Sequence, residues 1–376
     1  MSVTTVSAKV VFDELERGKF LVILDLRAPS EFDEWRITGP NPITFYNVFY
    51  GDFFEDENAA AAQLPKDQEI TVICAKGGAS AAVAEILDEL GYQVRHMEGG
   101  MLSWSQLHVA RPIPVQSQEF RIWQINRIGK GCLSYVVAAQ GEGLVVDPSR
   151  MTHVYEELAH KEGFRIRYVV DTHIHADHIS GARDLARAVG ASYRLAQTHQ
   201  NAPLRYEPLR DQEILRLRNV QVETLSIHTP GHTPESTSLL INKQYLISGD
   251  TVFVQGVGRP DLGGKTAQWA HDLFESIYGR LANLGNDTWV LPAHYQTIDE
   301  IKEHHLVFTT FGRLRKSQKI KTDLGVQQFV HDIMQNETPT PPNYEKIVDV
   351  NMGRIALDTE TADFLEIGPN RCAVVH

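Results

Sequence analysis

The segment Thr172–His178, with the sequence THIHADH, constrains this chain more than any other. It follows a β-branched run, Arg167–Asp171, and precedes a helical pattern over Ile179–Gly190. In extended backbone, side chains two residues apart point to the same side, so the first two histidines can reach one ion. The aspartate and histidine that follow lie on a turn and can reach a second position. Imidazole and carboxylate are ligands of borderline metals, so the segment predicts a metal site at a strand end.

Three later turns each add one further ligand. His232, Asp250 and His294 all come shortly after an apolar run that is typical of a strand. Loops at strand ends, held by a rigid scaffold, are where such folds place their chemistry. Asp250 is positioned to be shared between two metal positions. The complete predicted ligand set is His173, His175, Asp177, His178, His232, Asp250 and His294.

This ordered set resembles the metallo-β-lactamase superfamily, from about Phe120 to at least Tyr295. The resemblance implies an αββα sandwich, with a metal site at one edge of the sheets. Two motifs, Arg-Pro-Asp-Leu at 259–262 and His-Thr-Pro-Glu-Ser at 232–236, are similar to the persulfide dioxygenase branch. That branch includes proteins in which this domain is fused to a rhodanese domain.

Similarity to that branch implies one non-haem Fe(II) per chain, held by His173, His232 and Asp250. A face of two histidines and one carboxylate leaves coordination positions open for a sulfur substrate and O₂. The implied reaction is oxidation of a low-molecular-weight thiol persulfide, such as glutathione persulfide, to sulfite and free thiol. Arg259 and Lys265, in a glycine-rich loop after Asp250, are the residues expected to bind carboxylates of such a thiol.

The same residues permit a second interpretation, a dinuclear zinc hydrolase such as a glyoxalase II-like thioesterase. In that enzyme His175, Asp177, His178 and His294 help to bind two zinc ions with a bridging hydroxide. In the dioxygenase these four residues surround the single iron instead. Both interpretations stay open at the level of sequence.

The first hundred residues carry an independent signal around Cys74. This cysteine follows the apolar run 69–73 and precedes a glycine-rich turn and a helical pattern over Ala81–Leu90. The turn residues are Ala75, Lys76, Gly77, Gly78, Ala79 and Ser80. Turn amides, the positive end of the helix dipole and the Lys76 ammonium all favour a thiolate. The alternative is a small buried residue that ends a strand, as most free cysteines are.

The context of Cys74 resembles a rhodanese domain over about Ser7–Leu107. The resemblance rests on Asp25–Arg27 with a following Glu-Phe pair, on Glu98–Gly100 with Trp104, and on the six-residue length of the cysteine loop. Rhodanese domains carry a persulfide sulfur on this cysteine. The resemblance therefore implies sulfane-sulfur transfer through Cys74.

Two positions depart from the rhodanese pattern. Arg36 stands where the histidine of a Gly-His-Ile sequence is usual, and Ala79 stands where an arginine is common. The missing arginine removes a fixed guanidinium from the anion site. We therefore expect weak use of thiosulfate, with transfer from a neutral or larger persulfide donor retained. A docking or sensing domain without transfer activity is the open alternative.

A length of 376 residues fits two domains. We expect a small rhodanese-like, parallel-sheet α/β domain over 1–109, a linker over 110–118 and the metallo-β-lactamase domain over 119–376. The linker contains Pro112 and Pro114. A short, proline-containing linker cannot swing Cys74 freely, so we expect a diffusible thiol to carry sulfur between the domains.

Composition narrows the classes of partner. A formal charge of −12 without a basic stripe argues against nucleic acid. No apolar run approaches the roughly 20 residues of a membrane span. The first nine residues lack the apolar core of a signal peptide, and three cysteines make no disulfide framework, so we expect a reducing, cytoplasmic location. The expected partners are a small thiol persulfide and O₂; a homo-oligomer stays open, and residues 351–376 give no assignment.

Overall fold

The computed structural model describes residues 3–196, 203–218, 223–261, 264–317, 325–335, 343–369 and 373–375. The chain divides into two compact units. The first consists of Met1–Leu107 with the short segments Arg127–Lys130 and Ile367–Pro369. The second consists of His108–Asn126, Gly131–Glu366 and Asn370–His376.

The first unit is built on a parallel five-stranded sheet. Its strands are β1 (Thr4–Val6), β2 (Leu21–Asp25), β3 (Ile43–Asn47), β4 (Ile70–Ile73) and β5 (Val94–Met97). Its helices are α1 (Ala8–Glu16), α2 (Pro29–Glu34), α3 (Tyr50–Glu55), α4 (Glu57–Ala61), α5 (Gly78–Glu89) and α6 (Gly100–Gln106). The strand order is β1-β5-β4-β2-β3. This architecture confirms the predicted small parallel-sheet α/β domain.

Local sequence explains these elements. The Ser7 hydroxyl accepts a hydrogen bond from the backbone N–H of Val10 at 3.3 Å, which caps the start of α1. β2 and β4 are buried along their whole length, because a parallel sheet covered by helices hides both faces. Val72 and Leu87 belong to the core that joins the sheet to α5.

The second unit contains two larger sheets. The strands of the first are β6 (His108–Ile113), β7 (Arg121–Arg127), β8 (Cys132–Ala139), β9 (Glu142–Val146), β10 (Arg165–Val170), β11 (Ser192–Ala196) and β12 (Glu207–Leu209). The strands of the second are β13 (Ile214–Arg216), β14 (Glu223–His228), β15 (Thr237–Ile241), β16 (Tyr245–Gly249), β18 (Trp289–Pro292) and β19 (Thr309–Thr310). A separate pair is β17 (Gly256–Gly258) with β20 (Ala373–Val375). In the first sheet the neighbouring strands are consecutive along the chain, from β6 at one edge to β12 at the other. The second sheet runs in the same way from β13 to β19 and leaves out only β17.

Helices cover the outer faces of both sheets. They are α7 (His153–Glu162), α8 (Ala182–Val189), α9 (Thr266–Glu275), α10 (Phe311–Lys316), α11 (Val326–Gln335), α12 (Tyr344–Asn351) and α13 (Thr359–Glu366). Single helical turns lie at Ser276–Arg280, Ile298–Glu300 and Glu303–His305. Among the described residues, no helix has the length and apolar character needed to cross a membrane.

Three buried clusters define the layers of this unit. One lies between the sheets and includes Val146 of β9 and Ile247 of β16. A second packs α7 and α8 against the first sheet, and a third packs α9 and α11 against the second sheet. The order helix, sheet, sheet, helix is the αββα sandwich that the sequence predicts, and the structure confirms it.

The predicted linker, residues 110–118, is only partly without regular structure. Residues 108–113 form β6, the edge strand of the first sheet, so the expected linker 110–118 begins inside a strand. Pro112 is compatible with this position because an edge strand leaves one side without ladder hydrogen bonds. Residues 114–120 lie outside helices and strands.

Candidate functional site

The predicted ligand segment connects the end of β10 to α8 and is held at the sheet edge by Asp147. This aspartate follows β9, which runs parallel to β10 with Val146 opposite Val170. Its Oδ1 accepts from the backbone N–H of Thr172 at 2.7 Å, and its Oδ2 accepts from the Thr172 hydroxyl at 2.9 Å. The carboxylate thus fixes the start of the loop that carries the four ligands.

The structure brings His173, His232 and Asp250 together from three strand ends. Each offers one ligand atom, and these atoms all lie within 4.8 Å of one another. Oδ2 of Asp250 is 3.9 Å from Nε2 of His173 and 3.4 Å from Nε2 of His232. All three side chains are buried. This group is the two-histidine, one-carboxylate set that the resemblance implies.

Hydrogen bonds on the far side of each ring set the tautomer of the two histidines. Thr172 gives its hydroxyl proton to Asp147, so its oxygen accepts from Nδ1 of His173 at 2.9 Å. Nδ1 of His232 donates to the backbone carbonyl of Arg259 at 2.8 Å. Both rings therefore present an unprotonated Nε2 towards Asp250, as a metal ligand must.

The protonation behaviour of the group agrees with this assignment. Burial lowers the pKa of His173 well below 6.5 and lowers the pKa of His232 to about 4. Burial and the nearby charge of Asp177 raise the pKa of Asp250 well above 3.8. Without a cation, the site favours neutral imidazoles and opposes ionisation of the Asp250 carboxyl group.

A divalent metal ion fits these residues. Nε2 of His173, Nε2 of His232 and both carboxylate oxygens of Asp250 are buried and have no hydrogen-bond partner among the described residues. Buried polar atoms are normally paired, and each exception needs an explanation. A metal ion that the three side chains bind provides that partner.

Among the remaining predicted ligands, Asp177 and His178 pair with each other, whereas buried ring nitrogens of His175 and His294 lack hydrogen-bond partners in the described structure. Oδ1 of Asp177 is 3.0 Å from Nδ1 of His178, and its Oδ2 accepts from the Cys132 thiol at 3.1 Å. Nε2 of His294 is 3.5 Å from Oδ2 of Asp177 and 3.3 Å from Oδ1 of Asp250. Both ring nitrogens of His294 are buried without a hydrogen-bond partner in the described structure.

His175 is directed towards carboxylates behind the ligand loop. Its Nε2 lies 3.2 Å from Oδ1 of Asp147 and 3.8 Å from Oδ1 of Asp171. Burial alone would lower the pKa of His175, but the charge of Asp147, the hydrogen bond to it, and the charges of Asp171 and Asp177 raise it to about 10. His175 is therefore a cation paired with these carboxylates while no metal competes for its Nδ1.

Several residues at this site were missed by the sequence patterns. Asp147 carries the same signal as Asp250, an aspartate just after an apolar strand. Cys132, expected to be a core residue, is buried as predicted but also contacts Asp177. Glu235 accepts a hydrogen bond from the backbone of Ile174 at 3.0 Å. Two more, Asn351 and Glu366, bind the ligand loop from distant positions that no local pattern indicates.

The two predicted substrate-binding cations occupy different environments. Arg259 is only 1% exposed, and its guanidinium pairs with Asp261 through two hydrogen bonds of 2.7 and 2.6 Å. Its backbone carbonyl accepts the hydrogen bond that fixes His232. Lys265 is exposed and immediately precedes α9. Leu262 of the Arg-Pro-Asp-Leu motif lies outside the described residues.

In the first unit, Cys74 lies directly after β4 and its sulfur faces backbone donors. The Sγ atom accepts from the N–H of Gly77 at 3.1 Å and from the N–H of Ser80 at 3.3 Å. The Ser80 hydroxyl, 3.5 Å from the sulfur, donates to the carbonyl of Gly77. Two N–H groups at the start of a helix are the arrangement that stabilises a thiolate. Lys76 is exposed on the same turn.

The late glycine pair of the rhodanese-like pattern packs against this cysteine loop. A Cβ atom on Gly100 would lie 2.2 Å from the carbonyl oxygen of Cys74, so only glycine fits there. The next N–H groups of α6, those of Met101 and Leu102, donate to the carbonyls of Cys74 and Ala75 at 2.8 and 3.0 Å. The close approach of these backbones holds the cysteine turn in place.

Comparisons with known proteins agree with both units. Residues 127–295 match the metallo-beta-lactamase superfamily, and residues 7–107 match the rhodanese-like domain. The hydroxyacylglutathione hydrolase of Anaeromyxobacter dehalogenans is 35% identical over 46% of this chain, which spans 65% of that relative, just under two thirds. That of Haemophilus ducreyi is 30% identical over 52% of this chain and 80% of its own length. The mitochondrial persulfide dioxygenase ETHE1 of Homo sapiens is 26% identical over 59% of this chain and 82% of its own.

Two solved structures share the fold. A metallo-beta-lactamase from Staphylococcus aureus superposes with a TM-score of 0.57 at 25% identity, covering 64% of this chain and 75% of that one. ETHE1 from Myxococcus xanthus gives a TM-score of 0.53 at 21% identity, covering 65% of this chain and 99% of that one. The chain belongs to the metallo-beta-lactamase superfamily and carries a rhodanese-like domain before that fold in its sequence.

Proposed function

We propose that the second unit is a non-haem iron persulfide dioxygenase. The observation that carries the proposal is the group His173, His232 and Asp250, whose facing atoms are buried and lack hydrogen-bond partners in the part of the chain that the structure describes. Asp177 and His178, by contrast, already bond to each other. A single ion at the first group gives a partner to four unpaired buried atoms, which are Nε2 of His173, Nε2 of His232 and both carboxylate oxygens of Asp250. The 26% identity to ETHE1 of Homo sapiens adds support.

The proposed reaction consumes one persulfide, one O₂ and one water, and yields one thiol, one sulfite and two protons. Fe(II), when bound, supplies the electron-transfer chemistry that allows O₂ to react with sulfur, and the protein supplies binding and orientation. His173 and His232 offer neutral nitrogens, and Asp250 offers one negative charge. The carboxylates around His175 balance its positive charge away from the iron ligands.

The surroundings of the group also favour chemistry in a low-water site. Phe253 is 2% exposed, and the centre of its ring lies 6.2 Å from that of His294. The apolar ring limits solvent at this side of the site, which strengthens electrostatic interactions inside it.

For the carboxylate of a glutathione-like substrate we propose Lys265 rather than Arg259. Lys265 is exposed, whereas the guanidinium of Arg259 is buried against Asp261. Lys265→Ala is expected to raise KM for glutathione persulfide and leave kcat nearly unchanged, because the lost contact is one of binding alone. An unchanged KM would contradict this assignment.

The test of the dioxygenase proposal combines metal analysis with oxygen uptake. We expect one iron per chain in protein purified without oxygen. Adding glutathione persulfide should consume O₂ and produce sulfite in a one-to-one ratio. Two tightly bound zinc ions, no oxygen uptake and cleavage of a glutathione thioester would contradict the proposal.

The alternative function is a dinuclear zinc hydrolase, and two observations favour it. Both ring nitrogens of His294 and Nδ1 of His175 are buried without hydrogen-bond partners among the described residues, as expected for ligands of a second ion. Two relatives with higher identity, at 35% and 30%, are hydroxyacylglutathione hydrolases. In this alternative a second ion displaces the Nδ1 proton of His175, while the Nε2–H facing Asp147 stays in place. The ion must also compete with His178 for Asp177, so we rank this function second.

For the first unit we propose sulfane-sulfur transfer through Cys74. Its thiolate attacks the outer sulfur of a donor persulfide, the donor S–S bond breaks, and the donor leaves as a thiolate that takes up a proton. The N–H groups of Gly77 and Ser80 stabilise the negative sulfur before attack. A docking domain that no longer transfers sulfur is the alternative, because Ala79 offers no guanidinium to an anionic donor.

Mass spectrometry tests this second proposal. Protein treated with a persulfide donor should gain one sulfur atom at Cys74, and Cys74→Ser should lose transfer activity while retaining oxygen uptake. Full transfer activity in Cys74→Ser would contradict it.

A further inference from the structure

One buried side chain from the C-terminal region binds the backbone of the ligand loop at three points. Asn351, the last residue of α12, is 8% exposed. Its Nδ2 donates to the carbonyl of His175 at 2.8 Å and to the carbonyl of His178 at 2.9 Å. Its Oδ1 accepts from the N–H of Ser180 at 2.9 Å. The amide thereby closes the turn that carries Asp177 and His178.

A second side chain continues this attachment. Glu366, the last residue of α13, is completely buried, and its Oε1 accepts from the N–H of Ile179 at 2.8 Å. Its Oε2 pairs with Arg150, which also bonds to Asp363 on the same helix. The C-terminal helices α12 and α13 therefore supply side-chain partners to four backbone groups of the loop, between His175 and Ser180.

These contacts divide the ligand loop between two anchors. Asp147 holds its first end through Thr172, and Asn351 with Glu366 holds its second end. The loop has no regular secondary structure, so its backbone groups depend on such side chains for hydrogen bonds. The second anchor lies beyond residue 295, where the match to the metallo-beta-lactamase superfamily ends.

We propose that Asn351 is a positioning residue of the metal centre, and that α12 and α13 are thereby part of it. Metal ligands must be held within a few tenths of an ångström, and outer hydrogen bonds supply that constraint. The proposal rests on the proposed metal-binding role of the loop. It depends neither on iron nor on a persulfide substrate, because any ion at the first group uses His173, which lies on this loop two residues before the carbonyl of His175 that Asn351 holds.

Asn343 provides a matched control on the same helix. It immediately precedes α12, and its Nδ2 donates to the carbonyl of Leu365 at 3.1 Å. This asparagine therefore also joins α12 to α13 through an amide. Within the described residues, the side chain of Asn343 makes no hydrogen bond to the ligand loop. Loss of Asn343 perturbs helix packing, whereas loss of Asn351 perturbs both packing and the ligand turn.

The experiment measures cobalt(II) binding to the metal-free full-length protein by competition with a chromophoric chelator. Asn351→Ala is expected to bind cobalt(II) about 10–100-fold more weakly than the unmodified chain, and Asn343→Ala within about twofold of it. Thermal unfolding of both variants is followed in parallel. Equal cobalt affinities for the two variants would overturn the positioning role alone. Absence of cobalt binding in the unmodified chain would overturn this inference and the proposed function together.

A near-isosteric variant covers the case in which Asn351→Ala does not fold. Asn351→Asp keeps an acceptor for Ser180 and removes the two hydrogen bonds donated to the carbonyls of His175 and His178. We expect weaker cobalt(II) binding and a changed visible absorption spectrum, because the spectrum reports ligand geometry around the ion. An unchanged affinity and spectrum in Asn351→Asp would overturn the proposal even without the alanine variant.

Discussion

The Nε2 atom of His232 lies 3.4 Å from Oδ2 of Asp250, and neither atom has a hydrogen-bond partner among the described residues. The far nitrogen of His232 donates to the carbonyl of Arg259, so the facing nitrogen is an acceptor. Two acceptors therefore face each other in a buried space. Either a proton or a metal ion must lie between them, and exchange of one for the other has a measurable consequence.

Metal binding near pH 7 is expected to release about one proton, supplied by Asp250. Because Oδ2 of Asp250 and Nε2 of His232 are two acceptors 3.4 Å apart, we expect a proton between them in the metal-free protein, and burial, which raises the pKa of Asp250, favours the carboxyl as its holder. The pKa of His232 is lowered to about 4, so this imidazole is already neutral and releases none. Calorimetric titration in buffers of different ionisation enthalpy measures the release. Zero release at pH 7, or affinity independent of pH above 5, would contradict the assignment.

One substitution in each of the two ligand groups distinguishes a one-metal site from a two-metal site. His232→Ala removes a direct ligand and is expected to weaken iron binding by at least about 100-fold, with oxygen uptake lost accordingly. His178→Ala removes a ring that bonds to Asp177, so iron content and most of the oxygen uptake should remain. Metal analysis of both variants distinguishes these two kinds of site. Loss of one of two ions in His178→Ala would instead support the dinuclear hydrolase.

The sequence was sufficient to predict the residues that lie at strand ends. His173, His232 and Asp250 all follow apolar strands, and the structure brings them together because those strands end at one edge of the sandwich. The cysteine turn was also predictable, since a strand, a glycine-rich turn and a helix occur in succession. In both cases the signal is local along the chain.

The parts that could not be predicted depend on contacts between distant residues. Asn351 is 171 residues from Ser180, and Glu366 is 187 residues from Ile179, so no spacing rule connects them. The buried environment of Arg259 is set by its pairing with Asp261 and by the surrounding fold, which composition does not reveal. Pro112 indicates a break in regular structure but does not distinguish a linker from an edge strand.

The Glu14–Arg95 pair in the first unit predicts an acid-sensitive contribution to stability. Hydrogen bonding from Arg95, opposed by burial and assisted by Lys19, lowers the pKa of Glu14 from 4.5 to about 2. Because the folded state lowers this pKa, the stabilisation is complete above pH 4.5 and is lost as the pH falls towards 2. Glu14→Gln should therefore lower the free energy of unfolding of this unit by about 2 kcal/mol at pH 7, after allowance for its partial exposure.

Urea unfolding of the full-length protein at pH 7 and pH 3 measures this effect. The difference between Glu14→Gln and the unmodified chain should shrink at the lower pH. Glu85→Gln, on the exposed side of α5, serves as the control and should change stability by less than about 0.5 kcal/mol at either pH. A pH-independent difference for Glu14→Gln would show that the ion pair is not its cause.

Transfer of sulfur between the two units is expected to use a diffusible thiol. Cys74 is held on a rigid turn by Gly77, Ser80 and the start of α6, so it cannot carry sulfur over a distance by itself. Two inactive full-length variants test this. Cys74→Ser retains the metal centre, and His232→Ala retains the cysteine turn. Mixed together, each at the concentration of the unmodified chain, they should produce sulfite at the unmodified rate when glutathione is present.

The donor for this experiment is one from which Cys74→Ser alone produces no sulfite, so that every sulfur atom must pass through Cys74. Direct transfer within one chain would gain from a local concentration of about millimolar for short linkers, and the mixture would lose that advantage. The comparison is therefore made over a range of glutathione concentrations. A mixture that stays well below the unmodified chain at every concentration would mean that sulfur passes directly within the chain, and the diffusible carrier would be wrong.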